Sequence, residues 1–239
     1  MFDHVTIRVS DRGASERFYE LVLGTIGIDE TYSGDQFTEW GDFSLGEASA
    51  WNPVTRGLHI GFGAPSRERV DEFWQAGVDA GFESDGEPGP RAEYGDDYYG
   101  GFLLDPDGNS AEAVHFEGVR RGVDHLWIRV ANVPASARFY EAIAPYAGLR
   151  MQERADRAQF AGESGSFSVL KGDHVTKSLH MAFPATENDA VDDFHRAATE
   201  AGYRDNGTPG ERSDYHPGYY SAYLLDPDGN NVELVNHNR

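Results

Sequence analysis

The sequence predicts an α+β protein built from four strand–helix–strand modules, and two observations carry this prediction. Short segments alternate between polar and apolar residues, as half-buried strands do, and between them lie segments whose apolar residues recur at helical spacing. The pattern also occurs twice, because subtracting 121 from residue numbers in the second half gives matching residues in the first. This constant offset holds from residue 4 to residue 235 and indicates an internal duplication.

The first module begins with a strand at residues 3–9 that has one polar and one apolar face, with His4 on the polar face. A helix is expected at residues 14–23, because its apolar residues form a stripe, and Gly24 is available to end it. Two short strands are expected next, at residues 36–40 and 43–45.

The second module begins again with a histidine, His59, in a strand at residues 59–62. A helix marked by Val70 and Phe73 should follow and end near Gly81. Residues 85–95 are rich in Gly, Pro and charge, which predicts a loop or an edge segment.

Each half ends in two strand-like runs joined by Asp-Pro-Asp-Gly, which predicts a β-hairpin. In the second half the turn is Asp226 to Gly229, and its carboxylates are best explained as turn formers. If Gly229 forms a G1 bulge, Asp226 pairs with Asn230 and Tyr223 stands opposite Glu233. Without the bulge, Ala222 takes that place. The copy in the first half carries Glu112.

The second half repeats this order, with a strand at 124–130 and a helix opened by Pro134. Strands are expected at 158–160, 167–170 and 180–183, and Thr186 with Asp189 resembles a capping box before the last helix. The predicted domains are residues 1–117 and 123–239, joined by a linker at 118–122.

Composition narrows the function classes. Forty-one acidic and 20 basic residues give a net charge of -21, which argues against nucleic-acid and anionic-membrane partners. Only Lys171 and Lys177 are lysines, a bias compatible with a salt-adapted surface or with a GC-rich genome. There is no Cys and no apolar run of membrane-spanning length, so a soluble cytoplasmic protein is expected.

One set of residues in each half has the composition of a metal site. His125 and His180 open equivalent strands 55 residues apart, and Glu233 follows 53 residues later. Two imidazoles and one carboxylate suit Fe(II) or Mn(II), and these ligand types also admit Zn(II) or Ni(II). The copy of this set in the first half is His4, His59 and Glu112.

These modules, strand-opening histidines and Asp-Pro-Asp-Gly hairpins ending in glutamate resemble the vicinal-oxygen-chelate superfamily, which includes glyoxalases, bleomycin-resistance proteins and extradiol dioxygenases. The resemblance covers nearly the whole chain. It implies four βαβββ modules in two tandem pairs, each pair forming a cupped mixed sheet with helices outside. It also implies a divalent metal and a small substrate that chelates it through neighbouring oxygens.

The resemblance leans toward the extradiol branch. The segment from His216 through Tyr223 to Glu233 is similar to the extradiol signature, in which a histidine and a tyrosine assist at the metal, although Ala222 replaces a larger apolar residue. Glyoxalase I-type members take a further carboxylate from a strand whose counterparts here, residues 43–45 and 167–169, offer none. Gly95 and Phe102 replace His216 and Tyr223 in the first half, so the second half is expected to hold the active site.

Two alternatives remain at this stage: a glyoxalase-type lyase or isomerase, and a metal-free protein that binds a small molecule, as bleomycin-resistance proteins do. Arg8 and Arg129 lie on the polar faces of the opening strands, where a guanidinium could hold a substrate carboxylate or pair with an acidic residue. The expected partner is a small-molecule substrate, and the expected state is a monomer or a homodimer.

Overall fold

The computed structural model describes all 239 residues and contains four helices and sixteen strands. The helices are α1 (Arg12–Thr25), α2 (Arg67–Asp79), α3 (Val133–Ile143) and α4 (Asn188–Glu200). The first half contains β1 (His4–Val9), β2 (Tyr32–Ser33), β3 (Phe37–Trp40), β4 (Phe43–Glu47), β5 (Leu58–Gly63), β6 (Ser84–Pro90), β7 (Tyr99–Leu104) and β8 (Ser110–His115). The second half contains β9 (Gly122–Val130), β10 (Arg150–Glu153), β11 (Arg157–Ala161), β12 (Ser166–Lys171), β13 (His180–Pro184), β14 (Arg204–Glu211), β15 (Tyr220–Leu225) and β16 (Asn231–Asn236).

The strands form two open, mixed sheets of eight strands each. Their orders are β14-β15-β16-β13-β1-β4-β3-β2 and β10-β11-β12-β9-β5-β8-β7-β6. Strands β13 and β16 are parallel, as are β5 and β8, whereas the hairpin strands are antiparallel. This confirms the α+β fold with four βαβββ modules. The expectation that the two modules of one half form one sheet is wrong, because β1–β4 share a sheet with β13–β16 and β5–β8 share a sheet with β9–β12. None of the four helices is long and apolar enough to cross a membrane.

The chain folds as two compact units that follow its two halves except at the opening residues of each half. One unit contains Thr6–Trp127, and the other combines Met1–Val5 with Ile128–Arg239. The beginning of the first strand of each half therefore belongs to the unit of the other half. The domain limits 1–117 and 123–239, drawn from the sequence repeat, stay a prediction.

The Asp-Pro-Asp-Gly hairpin has the predicted register. Gly229 has a φ of 93°, the backbone N–H of Asp226 donates to the carbonyl of Asn230, and Tyr223 pairs with Glu233. The buried carboxylate of Asp226 accepts two backbone N–H groups, the amide of Asn230 and the hydroxyl of Tyr140. Asp226 is thus a turn former that also ties α3 to the hairpin.

Several local expectations need correction. Helix α1 continues past Gly24, and the chain takes a positive φ of 77° at Gly27 instead. The capping box with Thr186 is wrong, because α4 is capped at Glu187 without a side-chain hydrogen bond. The short edge strands β2 and β10 were missed, since neither has the buried alternation that identifies a strand.

The apolar face of each opening strand belongs to a core, as the alternation predicted. In β1, Val5, Ile7 and Val9 are fully buried, whereas His4 and Arg8 on the other face are partly exposed. Burial of such a side chain contributes about 1.5–3 kcal/mol. This burial fixes which face of the strand carries the histidine, because a slip of one residue would invert both faces.

Candidate metal centres

His4, His180 and Glu233 lie on three neighbouring strands and converge on one point. Ala182 of β13 pairs with Glu233 of β16, and the N–H of Asp3, just before β1, donates to the carbonyl of Ala182. The Nε2 atoms of His4 and His180 are 2.9 Å apart. Oε2 of Glu233 lies 3.0 Å from Nε2 of His180 and 3.5 Å from Nε2 of His4. We call these three residues the Glu233 site.

The donor set of the Glu233 site fits a divalent metal. Ligands about 2.1 Å from one ion lie about 3.0 Å apart at octahedral angles and about 3.4 Å apart at tetrahedral angles. Oδ1 of Asp3 lies 2.9 Å from Nδ1 of His4, so the neutral ring carries its proton there and turns a lone pair outward at Nε2. Nε2 of His4, Nε2 of His180 and Oε2 of Glu233 are in mutual contact, and these are the atoms that could hold a cation.

Further side chains orient the ligands. The hydroxyl of Tyr219 donates to Oε1 of Glu233 at 2.8 Å, which leaves Oε2 directed at the two imidazoles. The side-chain amide of Asn231 contacts Nδ1 of His180. Such contacts fix the rotamer and the tautomer of a ligand and typically affect metal affinity by about 10–100-fold.

A chain of hydrogen bonds extends outward from Asp3. Its Oδ2 atom lies 2.9 Å from Nε2 of His237, and Nδ1 of His237 lies 2.9 Å from Nε2 of His216. The two imidazole rings stack with centroids 5.2 Å apart. His216, predicted to assist at the metal, is therefore connected to His4 through His237 and Asp3.

Tyr223 stands beside the ligands on the adjacent strand. It pairs with Glu233, its ring centroid lies 6.3 Å from that of His180, and its hydroxyl accepts a hydrogen bond from Ser221 at 3.0 Å. Burial and the charge of Glu233 raise the pKa of Tyr223 above its ordinary value. The phenol is therefore protonated at neutral pH and can donate a hydrogen bond.

His59, Glu112 and His125 form an equivalent arrangement in the other unit, which we call the Glu112 site. The two Nε2 atoms are 3.1 Å apart, and Oε2 of Glu112 lies 3.0 Å from His59 and 3.1 Å from His125. Tyr98 donates to Oε1 of Glu112 at 2.8 Å, and Asp124 contacts Nδ1 of His125 at 2.9 Å. The partners of the glutamate and of the opening histidine are thus the same in the two sites, whereas Nδ1 of His59 contacts Ser110 where Nδ1 of His180 contacts Asn231.

The electrostatics keep both glutamates ionised. Burial alone would raise the pKa of Glu112, but hydrogen bonds and charges from His125 and His59 lower it to about 2. Burial likewise opposes the charged form of His125, whereas Asp124 and Glu112 raise its pKa to about 10. At the other site, the histidine contacts outweigh burial and lower the pKa of Glu233. An ionised carboxylate is the form that ligates a metal.

Aromatic side chains surround the Glu112 site. The ring of His59 lies 5.7 Å from Trp127 and 5.9 Å from Phe102, and Tyr94 packs edge-on against Trp127 at 5.7 Å. By the offset of 121, Phe102 corresponds to Tyr223, so the Glu112 site has no phenol at this position.

All six residues predicted as metal ligands lie in these two groups, but their grouping differs from the expectation. The sequence placed His125 with His180 and Glu233, and His4 with the first-half residues. The structure exchanges the two opening histidines, because β1 lies beside β13 and β9 lies beside β5. Each opening histidine therefore joins the histidine and glutamate of the other half.

Other predicted residues lie elsewhere. The side chain of Arg129 packs against Gly172, where an added Cβ would lie 2.6 Å from Cδ of the arginine. The side chain of Arg8 packs against Gly46 in the same way, with a guanidinium nitrogen 2.6 Å from an added Cβ. Neither arginine belongs to a ligand group, and their role in substrate binding stays a prediction.

The sequence reasoning missed five residues that hydrogen-bond to an opening histidine, to a glutamate or to Asp3, although the repeat carries a signal for four of them. An aspartate precedes each opening histidine, and a tyrosine precedes each glutamate by 14 positions. The residues are Asp3, Asp124, Tyr98, Tyr219 and His237. His237 has no such signal, since Phe116 occupies its position in the first half.

Solved structures share this architecture. Glyoxalase I from Zea mays is similar with a TM-score of 0.70 and 20% identity, over 99% of this chain and 92% of its own. A proposed dioxygenase from Bacillus subtilis is similar with a TM-score of 0.66 and 15% identity, over 100% of this chain and 85% of its own. At these identities the likeness shows the fold alone.

Among curated proteins, none matches the chain by sequence. The model of one family, however, matches residues 1–113 and again residues 122–234, which together make up most of the chain. The two matches correspond to the two copies of the repeat. The chain therefore belongs to the Glyoxalase/Bleomycin resistance protein/Dioxygenase superfamily.

Proposed function

We propose that this protein is a metal-dependent enzyme whose small substrate chelates the metal through neighbouring oxygens, with extradiol-dioxygenase-like chemistry at the Glu233 site. The observation that carries this proposal is the convergence of two Nε2 atoms and Oε2 of Glu233, all within 3.5 Å of one another. Fe(II) or Mn(II) bound there would supply Lewis acidity to the substrate oxygens.

The protein's own groups have distinct roles in this proposal. Asp3 keeps the proton of His4 on Nδ1, and Tyr219 holds Oε1 of Glu233, so both ligands stay aimed at one point. Tyr223 is the group that can donate a hydrogen bond or a proton to a bound substrate oxygen. Ser221 donates to the Tyr223 oxygen and fixes the direction of the phenol.

Two imidazoles and a single carboxylate in each ligand group favour the dioxygenase-like alternative over the glyoxalase-type one. A lyase or isomerase would use the same centre to stabilise an enolate. In the metal-free alternative, only a proton could neutralise the imidazole nitrogens and the carboxylate oxygen that converge in each group.

The first test is a metal analysis of protein purified anaerobically without chelator. The wild type should hold two metal ions per chain, and Glu233→Ala and Glu112→Ala should each hold one. Absence of metal from the wild type, before and after reconstitution, would contradict the proposal and support a metal-free binding protein.

The second test is oxygen consumption with catecholic substrates. Tyr223→Phe should lower the turnover rate by about 100-fold, because it removes the donor beside the ligands. Tyr220→Phe is the control, since the hydroxyl of Tyr220 donates to Asp192 of α4 and contacts none of the ligands. Turnover of a 2-oxoaldehyde adduct without oxygen uptake would instead support the lyase or isomerase.

A further inference from the structure

The geometry points to a subsite for an anionic group beside each set of metal ligands, formed by Arg212 at the Glu233 site and by Arg91 at the Glu112 site. The substrate class is then a small oxygen-chelating molecule that also carries a carboxylate or a similar anionic group. This inference rests on the proposed function, because the chelating end of that molecule needs the metal.

An aromatic ring lies between each arginine and a histidine of the site. Tyr223 stands opposite Glu233 with its ring 6.3 Å from that of His180, and the guanidinium carbon of Arg212 lies 5.5 Å from the Tyr223 centroid. A substrate that is chelated by its oxygens and extends over Tyr223 by a few atoms would bring its far end to this guanidinium.

The Glu112 site repeats this arrangement with different neighbours. Phe102 stands opposite Glu112 with its ring 5.9 Å from that of His59, and the guanidinium carbon of Arg91 lies 5.2 Å from the Phe102 centroid. The guanidinium position is therefore the same although the ring is a phenol in one site and a phenyl in the other.

Both guanidinium groups keep unused hydrogen-bond donors. A guanidinium has five N–H donors. Arg212 donates only to the carbonyl of Thr208, and Arg91 donates to the carbonyls of Pro90 and Glu87. Neither forms a salt bridge, although the chain has 41 acidic residues. These carbonyl contacts hold the guanidinium in place and leave its charge available for a ligand.

A glycine in each edge strand lets the backbone lie close to the aromatic ring. Gly207 and Gly86 lie at register shifts in the edge strands β14 and β6. A Cβ at Gly207 would lie 2.8 Å from the Tyr223 ring, and one at Gly86 would lie 3.0 Å from the Phe102 ring. Close backbone packing thus fixes each ring, and the arginine directly after each edge strand lies over that ring.

Charge explains why such a subsite is useful here. A protein with a net charge of -21 repels an anionic substrate at long range. A divalent ion with one glutamate keeps a net positive charge, and an unpaired guanidinium nearby adds a second one. Arginine also binds a carboxylate with two parallel hydrogen bonds, which fixes its orientation.

The test compares two chelating probes, catechol and 3,4-dihydroxybenzoate, which differ by one carboxylate. Glu112→Ala isolates the Glu233 site, the protein is loaded with Mn(II) under anaerobic conditions, and both dissociation constants are measured by calorimetry. We expect tighter binding of the carboxylated probe, and Arg212→Gln should reduce this preference by about tenfold. Arg212→Lys should restore part of it.

The control is Arg196→Gln, an exposed arginine of α4 that pairs with Asp193, and it should keep the original preference. A preference that is unchanged in Arg212→Gln would overturn the subsite while leaving the metal centre intact. Failure of the parent variant to bind Mn(II) would instead overturn the proposed function. Arg91→Gln in a Glu233→Ala background repeats the test at the Glu112 site.

Discussion

The Glu233 and Glu112 sites share the groups that could hold a metal and differ in the side chains around them. Both have two histidines, one glutamate, a tyrosine on Oε1 and an aspartate on Nδ1 of the opening histidine. Around this common centre, Tyr223 is replaced by Phe102, and His237 by Phe116. The two copies of the repeat thus keep the residues predicted as metal ligands and differ in the side chains that surround them.

The two sites also differ in how closely they are packed. The side chains of His4 and His180 are 27% and 18% exposed, against 10% and 12% for His125 and His59. A Cβ at Gly61 would lie 2.2 Å from the ring of His125. The Glu112 site is therefore the more enclosed of the two, and the histidines of the Glu233 site are more exposed to solvent.

Replacement of each glutamate should give the largest difference in turnover between the two sites. Glu233→Ala should abolish turnover, with a loss of about 1,000-fold or more, because the polar groups Tyr223 and Ser221 belong to that site. Glu112→Ala should keep most of the turnover. The measurement is the steady-state rate with the best oxygen-chelating substrate found, together with the metal content of each variant. Equal losses in the two variants would show that the sites do not differ as proposed.

The tyrosines on the glutamates test what the sites share. Tyr219→Phe and Tyr98→Phe should each weaken metal binding at their own site by about 10–100-fold, because Oε1 of a buried glutamate loses its donor. Competition with a chromophoric chelator measures both affinities. If one variant changed its site and the other did not, the common architecture of the two sites would be contradicted.

His237 tests what the sites do not share. His237→Phe introduces the residue found at the Glu112 site and removes the hydrogen bond to Asp3, so metal affinity at the Glu233 site should fall by about tenfold or less. His237→Gln keeps a donor for Asp3 and should restore most of the affinity. The affinity of the Glu112 site in the same variants is the internal control, and a change there would argue for a general structural effect.

Much of this architecture follows from local chemistry that the sequence makes visible. The Asp-Pro-Asp-Gly turn with Gly229 in a left-handed conformation determines the register that places Tyr223 opposite Glu233, and the structure has this register. The polar face of β1 and the buried Asp226 follow from equally local rules. The α+β fold with four modules was predictable for the same reason.

The grouping of ligands was not predictable from these rules. The repeat relates His4 to His125 and shows that both open equivalent strands, but it does not show which neighbouring strand each one joins. That choice depends on pairing between segments far apart in the chain, such as β1 with β13. Tyr219 was missed because its hydroxyl contacts Glu233 only once the chain has folded.

The most direct test of the account is the metal content of two double variants. In a Glu112→Ala background, which leaves only the Glu233 site, His125→Ala should retain one metal ion per chain and His4→Ala should retain none. Loss of the metal with His125→Ala and its retention with His4→Ala would contradict the exchange of opening histidines on which the two sites depend.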